Sequence, residues 1–255
     1  AQGCWSEQAQ LLANKESDNT SQDALGGWAV EAVLADCSEF NVFHHGKQVA
    51  TVTWPLSGEH NMYNALAAIV AARHVGVEPH TSAEAFAQFQ SVKRRMELVG
   101  EVGSMGKTVR IFDDFAHHPT AIKLTLSGAK ANQQVKERSG RLIAVLEPRS
   151  NTMKLGEHKA KLAASVEDAD ASYWLEPEGM SWSLADAVAG MKNQTVCHSV
   201  EELEAQLLAD IQAGDDLVIM SNGSFSGLHR SLLAKLEAKD TANKKVAAAK
   251  IEALL

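Results

Sequence analysis

Asp113-Asp114-Phe115-Ala116-His117-His118-Pro119-Thr120 sets two carboxylates and two imidazoles on one short stretch of chain. Either aspartate can ligate a metal, hydrogen-bond a ribose hydroxyl or cap the following turn. The histidines can serve as metal ligands, phosphate partners or substrate contacts. The preceding Thr108–Phe112 reads as a strand, and the segment from Pro119 reads as a helix with proline in its first turn. The four groups therefore stand on a loop at the carboxyl end of a strand, where open α/β sheets bind ligands.

Further groups of this kind follow other strands. Leu142–Leu146 leads into Glu147-Pro148-Arg149-Ser150-Asn151-Thr152-Met153-Lys154, where Arg149 offers a planar fork suited to a carboxylate or phosphate. Met220 leads into Ser221-Asn222-Gly223-Ser224-Phe225-Ser226-Gly227, whose small residues leave backbone N–H groups able to meet an anion. Near the start, His60-Asn61 and Asn64 open a helix, and two amides three residues apart on one face can read the edge of a base. N-capping is the plainer role for Asn61. Lys93-Arg94-Arg95 is a small cationic cluster, by default a solvated face and otherwise a phosphate contact. His44-His45 reads as exposed decoration of a hairpin. Gly106-Lys107-Thr108 is not a P-loop: the glycine required five residues earlier is Glu101, and a strand follows where a helix is needed. A glycine-rich hairpin turn is expected there.

The elements that must position these groups alternate. Strands are expected at Trp28–Ala35, Glu39–Phe43 and Gln48–Trp54, forming an antiparallel piece. Helices follow at Asn61–His74, its alanines crowding the packing face, and at Ser82–Gln90, capped by Thr81 or Ser82. A hairpin is expected over 97–112, and after it strands near 141–146, 171–175, 194–198 and 216–220 alternate with helices near 119–134, 156–168, 183–192, 200–212 and 225–238. That alternation predicts a mostly parallel sheet with helices on both faces. Residues 1–92 are read as a first, incomplete-looking unit and 93–239 as a complete α/β domain, with 240–255 a helical or disordered tail. The net charge of −8 argues against a nucleic-acid or anionic-membrane surface. Cys4, Cys37 and Cys197, in no paired spacing, together with no apolar run near 18 residues, point to a cytoplasmic chain.

In family order, Leu56-Ser-Gly-Glu-His60-Asn61-Met-Tyr-Asn64-Ala65, Val92-Lys-Arg-Arg95-Met-Glu97 and Asp113 to Thr120 resemble the Mur ligase family, ATP-dependent amide-forming enzymes of peptidoglycan assembly. Glu147 to Gly156 and Ser221 to Gly227 are similar to the branch that joins UDP-N-acetylmuramate to the tripeptide L-alanyl-γ-D-glutamyl-meso-diaminopimelate through an acyl phosphate. The resemblance implies a C-terminal Rossmann-like domain preceded by the truncated end of a central ATP-binding domain. It implies ATP and Mg²⁺ as cofactors, the Mg²⁺ ligands lying mainly outside this chain, and a fragment inactive alone for want of the P-loop. By the same resemblance His60, Asn61 and Asn64 would contact adenine, Arg95 the phosphates and Asp113 the ribose. His117 and His118 would lie near the reacting groups. Arg149, Ser150, Asn151, Thr152, Lys154, Ser221, Asn222 and Ser224 would hold the peptide. Two rival readings stand beside this one. One is a metal-dependent phosphohydrolase using Asp113, Asp114, His117 and His118; the other is a non-catalytic nucleotide- or peptide-binding module.

Overall fold

The computed structural model of the protein describes residues 26–103, 107–191 and 193–252. Cys4 and the polar start, the hairpin tip at Gly106 and the last three residues of the tail lie outside them. The chain forms two compact units that meet in sequence between Phe89 and Gln90.

In the first unit, strands β1 (Trp28–Ala32), β2 (Glu39–His44) and β3 (Lys47–Thr53) pair antiparallel in that order. Helices α1 (Glu59–His74) and α2 (Pro79–Phe86) complete it. Alternation along the strands sends Phe40, Val42 and Val52 inward, where they meet Met62, Leu66 and Ile69 of α1. Trp54 lies edge-on to Phe86, with ring centroids 5.3 Å apart. Its indole N–H donates to the Cys37 carbonyl at 3.2 Å. This unit therefore encloses a core of its own, more than its composition led one to expect.

Three expectations need correction here. The packed stripe of α1 is Met62, Ala65, Leu66 and Ile69, at helical spacing, while Ala67, Ala68 and Ala71 are exposed. Helix α2 begins at Pro79, which takes the first helical position because it has no N–H to satisfy, so neither Thr81 nor Ser82 caps it. His44 is not decoration: its ring stacks on Trp28 at 4.2 Å.

The second unit holds a six-stranded sheet in the order β4-β5-β9-β6-β7-β8. The strands are β4 (Glu97–Val102), β5 (Val109–Asp114), β6 (Leu142–Leu146), β7 (Ala171–Leu175), β8 (Gln194–Cys197) and β9 (Asp216–Met220). Only β4 runs antiparallel to its neighbour. The central strands, Leu-Ile-Ala-Val-Leu and Asp-Leu-Val-Ile-Met, are buried throughout, as a sheet covered on both faces requires. Residues of one parity (Ile111, Ile143, Val145, Leu217, Ile219) pack against α7 (Val200–Asp210) and α8 (Leu228–Glu252). The other parity (Leu142, Ala144, Leu146, Val218, Met220) packs under α3 (Pro119–Val135), α5 (Lys159–Ser165) and α6 (Leu184–Val188).

At the amino edge of this sheet, Arg110 grips Asp216 with two bonds of 2.6–2.7 Å, and Gln133 and Arg138 add to the same carboxylate. Arg141 binds Asp215 and Asp210 beside it. These ion pairs tie together the amino ends of β5 and β9 and the entry to β6.

The expected helix over 156–168 is shorter, α5, and an unexpected helical turn, α4 (Asn151–Lys154), precedes it; Gly156 at φ +78° turns the chain between them. The tail is helical, since α8 continues to Glu252. Strand β5 runs on through Asp113 and Asp114, which are therefore strand residues and not loop residues.

Candidate functional site

Because β5 includes both aspartates, its pleat sends their side chains to opposite faces of the sheet. Asp114 points toward α3. One oxygen accepts the Ala116 N–H at 2.8 Å and the Thr125 hydroxyl at 3.4 Å; the other accepts the Met96 N–H at 2.9 Å. Burial pushes its carboxyl above the ordinary range, although these donors pull the other way. Asp113 points toward α8. Both its oxygens accept from Arg94 Nε, at 3.1 and 3.2 Å, and the same guanidinium donates to the Ser221 carbonyl at 2.7 Å. His229 Nε2 lies 3.2 Å from Asp113, close enough for charge to matter but off the line of a hydrogen bond. Burial holds His229 below the usual imidazole range; the Asp113 charge opposes this and Arg94 adds to it.

This division removes the aspartates as a joint metal site. Asp114 is a buried staple tying the residues before β4 to the loop after β5. Among the described residues no three His, Cys, Asp or Glu converge to hold a cation. His117 Nδ1 lies 2.9 Å from the Phe115 carbonyl. His118 N-caps α3, accepting the Thr120 N–H, and meets His158 edge-on at 4.3 Å. Burial lowers the His118 pKa, and the nearby His158 lowers it further.

The loops after β6 and β9 join Asp113 at the same edge. Ser221, fully buried, donates its hydroxyl to Glu147 at 2.6 Å and accepts the Gly223 N–H at 2.9 Å. Its own N–H reaches the Asp114 carbonyl at 3.2 Å. Glu147 stands 3.9 Å from Arg149 Nη1. The structure thus links Asp113, Arg94, Ser221, Glu147 and Arg149 in one chain of contacts. Beside them a crevice is floored by Ile122, Leu146, Trp174 and Met220 and rimmed by His117 and Glu147. Asn222 adjoins Ser221 with its amide oxygen buried and meeting no donor.

The remaining peptide candidates have local partners. Ser150 caps α4 through the Met153 N–H and touches the Thr152 hydroxyl at 3.3 Å. Lys154 Nζ donates to the Glu178 carbonyl at 2.9 Å. Asn151 and Ser224 are exposed. Arg95 is exposed too, its guanidinium 5.5 Å from the centre of the Phe115 ring. In the first unit, Gly58 and not Asn61 is the N-cap of α1. Asn61 donates its amide to the Ser57 carbonyl at 2.7 Å, Asn64 one turn on is exposed, and His60 is half-buried.

Sequence reasoning passed over Arg94, Glu147, His229 and Trp182. Trp182 Nε1 donates to the Met153 and Lys154 carbonyls at 3.0 and 3.1 Å, clasping the loop that carries Arg149. His229 had a legible signal, because it shares a helix face with Leu232 and Leu236 and is the polar member of an apolar stripe. For Arg94 there was none, since a run of three cations does not tell which one turns inward.

Comparison with known proteins fits this geometry. The chain is 42% identical over 247 residues to the UDP-N-acetylmuramate–L-alanyl-γ-D-glutamyl-meso-2,6-diaminoheptandioate ligase of Haemophilus influenzae, covering 94% of this chain and 49% of that protein. The Escherichia coli protein of the same name is 42% identical over 240 residues, with the same two coverages. The crystal structure of a murein peptide ligase from Psychrobacter arcticus superposes with a TM-score of 0.58 at 42% identity, over 87% of this chain and 45% of that one. The chain thus spans about half the length of the curated relatives it matches. The model of the Mur ligase glutamate ligase domain matches residues 94–223, from the arginine that grips Asp113 to the glycine beside Arg149. Since that match takes in half of the chain, with Arg94, Asp113, Glu147, Arg149 and Ser221 inside it, the chain belongs to the Mur ligase family.

Proposed function

We propose that this chain is the C-terminal part of an ATP-dependent ligase that joins UDP-N-acetylmuramate to L-alanyl-γ-D-glutamyl-meso-diaminopimelate. In this reading residues 93–239 form the domain that presents the incoming peptide, and residues 1–92 are the end of the ATP-binding domain. The observation that carries it is the sheet edge, where Arg149 lies against Gly223, 3.9 Å from Glu147, with its side chain 45% exposed. An exposed planar cation at this edge suits a peptide carboxylate, and the two relatives at 42% identity are named for that peptide.

Taken each by itself, the two units carry groups whose chemistry suits a nucleotide. In the first, Asn64 exposes its amide on the opening turns of α1, while Asn61 spends its own on the Ser57 carbonyl; in the second, Arg95 is an exposed cation. Asp113 is engaged by Arg94, so a ribose hydroxyl would compete with that pair. ATP, when bound, supplies the phosphoryl group that activates the carboxylate. No residue of this chain is assigned to Mg²⁺. The chain's own contribution is to hold the acceptor's far end so that its amine is presented in one orientation, an effect that can lower a barrier by about 7–11 kcal/mol.

The test is Arg149→Ala in the full-length ligase. We expect the KM for the tripeptide to rise about tenfold or more, with the KM values for ATP and UDP-N-acetylmuramate unchanged. Unaltered peptide kinetics would sink the reading.

A further inference from the structure

We propose that Gly223 is a positioning residue: its missing side chain is the seat on which the Arg149 guanidinium lies, and so it sets the enzyme's preference for a carboxylate-bearing acceptor. The inference rests on the peptide-binding reading of Arg149. A Cβ built on Gly223 would fall 1.8 Å from Arg149 Nη1, 2.7 Å from its Cζ and 3.1 Å from its Cδ. The whole outer half of the arginine therefore crosses over this one residue. Backbone conformation does not demand glycine here, since Gly223 is not among the residues with positive φ. What the position requires is empty space.

The rest of the seat is built from both loops. Ser221 Oγ holds the Gly223 N–H on one side and the Glu147 carboxylate on the other. Glu147 in turn stands 3.9 Å from Arg149 Nη1. Glycine fixes the guanidinium from below while Glu147 attracts it from the side, and the arginine side chain remains 45% exposed to meet a ligand. Arg149 is the far end of a flexible side chain, so a methyl group at position 223 displaces it by more than an ångström without moving backbone. The fold is spared and the geometry of the fork is lost.

The experiment compares wild type, Gly223→Ala, Arg149→Ala and the double variant in the full-length ligase. Each is assayed with the tripeptide and with the same tripeptide whose diaminopimelate carboxylates are amidated. Gly223→Ala should raise the tripeptide KM about tenfold or more and shrink the preference for carboxylate over amide by a similar factor. In the Arg149→Ala background it should do nothing further. The urea midpoint of the present chain should not move. If Arg149→Ala abolishes the preference while Gly223→Ala keeps it, the seat is refuted and the peptide reading survives. If Arg149→Ala itself has no effect, the peptide reading falls and takes this inference with it. If Gly223→Ala fails to fold, the contact is borne by backbone and the inference is overturned.

Discussion

Replacing Asp114 by alanine tests whether this carboxylate is a structural staple or a ligand for a cation. Its two oxygens take three donors: the Ala116 N–H, the Thr125 hydroxyl and the Met96 N–H. Alanine leaves all three without that partner. Ala116 and Thr125 are buried and cannot turn to water, and each stranded donor costs about 1–3 kcal/mol; Met96 is partly exposed and costs less. Removing a desolvated charge returns part of this. We expect a net loss of about 3 kcal/mol, which is on the order of a hundredfold in the unfolding equilibrium. Burial holds the folded carboxyl above its ordinary value of 3.8. A raised acid contributes stability that is full below the unfolded value and is lost as pH rises through the folded one. The gap between wild type and Asp114→Ala should therefore be widest at acid pH and narrow on the way to neutrality. Native-state amide exchange of the β6 and β9 strands, which report global opening of the second unit, measures it directly. A cation ligand in an empty site predicts the reverse, a variant as stable as wild type or more so. Exchange rates within threefold of wild type would refute the staple.

Gly140→Ala should destabilise the second unit by about 3 kcal/mol or more, because the new Cβ would sit 1.9 Å from the Gly214 carbonyl oxygen and neither backbone can yield; a urea titration checks it. His229 titrates below the usual imidazole value, chiefly through burial, so its contribution to stability is intact above about pH 6.5 and is lost as pH falls through the depressed value. His229→Gln should accordingly flatten the stability profile on the acid side of 6.5, measured as urea midpoints between pH 5 and 8; an unchanged slope would assign the titration elsewhere. Trp182→Ala removes the donor that clasps the Met153 and Lys154 carbonyls. Exchange should then quicken more than tenfold at the Lys154 and Leu155 amides while the β6 amides hold their rates.

How far the sequence could be read depended on which periodicity carried the information. The buried strands of the second unit were legible because Leu142–Leu146 and Leu217–Met220 are short unbroken apolar runs between turn residues, the pattern of strands covered on both faces and too short for a buried helix. Their carboxyl ends followed at once, and with them the neighbourhood of Asp113, Arg149 and Ser221. The residues that connect that neighbourhood were not legible. Nothing local says that Arg94 rather than Arg95 turns inward; that choice is made by Asp113 and the Ser221 carbonyl, which come from 19 and 127 residues away. Likewise the expected helix near 156–168 starts only at Lys159, because Gly156 takes a positive φ with Trp182, distant in sequence, packed where its Cβ would be.

The pair at 113 and 114 shows how a small error in an element's end changes chemistry. Ending the strand at Phe112 puts two carboxylates and two imidazoles on one flexible loop, where a shared cation is a fair expectation. Extending it by two residues imposes the pleat, and the pleat separates the carboxylates by the thickness of the sheet. One is then spent on backbone donors beneath α3, while the other is matched with Arg94 and His229 under α8. The same pleat orders the rest of the edge. It leaves Ser221, just past the end of the adjacent strand, with its backbone N–H on the Asp114 backbone carbonyl and its hydroxyl on Glu147, so only the hydroxyl belongs to the seat of Arg149. Ser221→Ala keeps the backbone bond to Asp114 and strands the Glu147 carboxylate and the Gly223 N–H, so it should cost about 1–2 kcal/mol of stability and also loosen Arg149, whereas Gly223→Ala should loosen Arg149 with stability unchanged. A Ser221→Ala protein with full stability and full discrimination between carboxylate and amide acceptors would show that this hydroxyl does not support the seat.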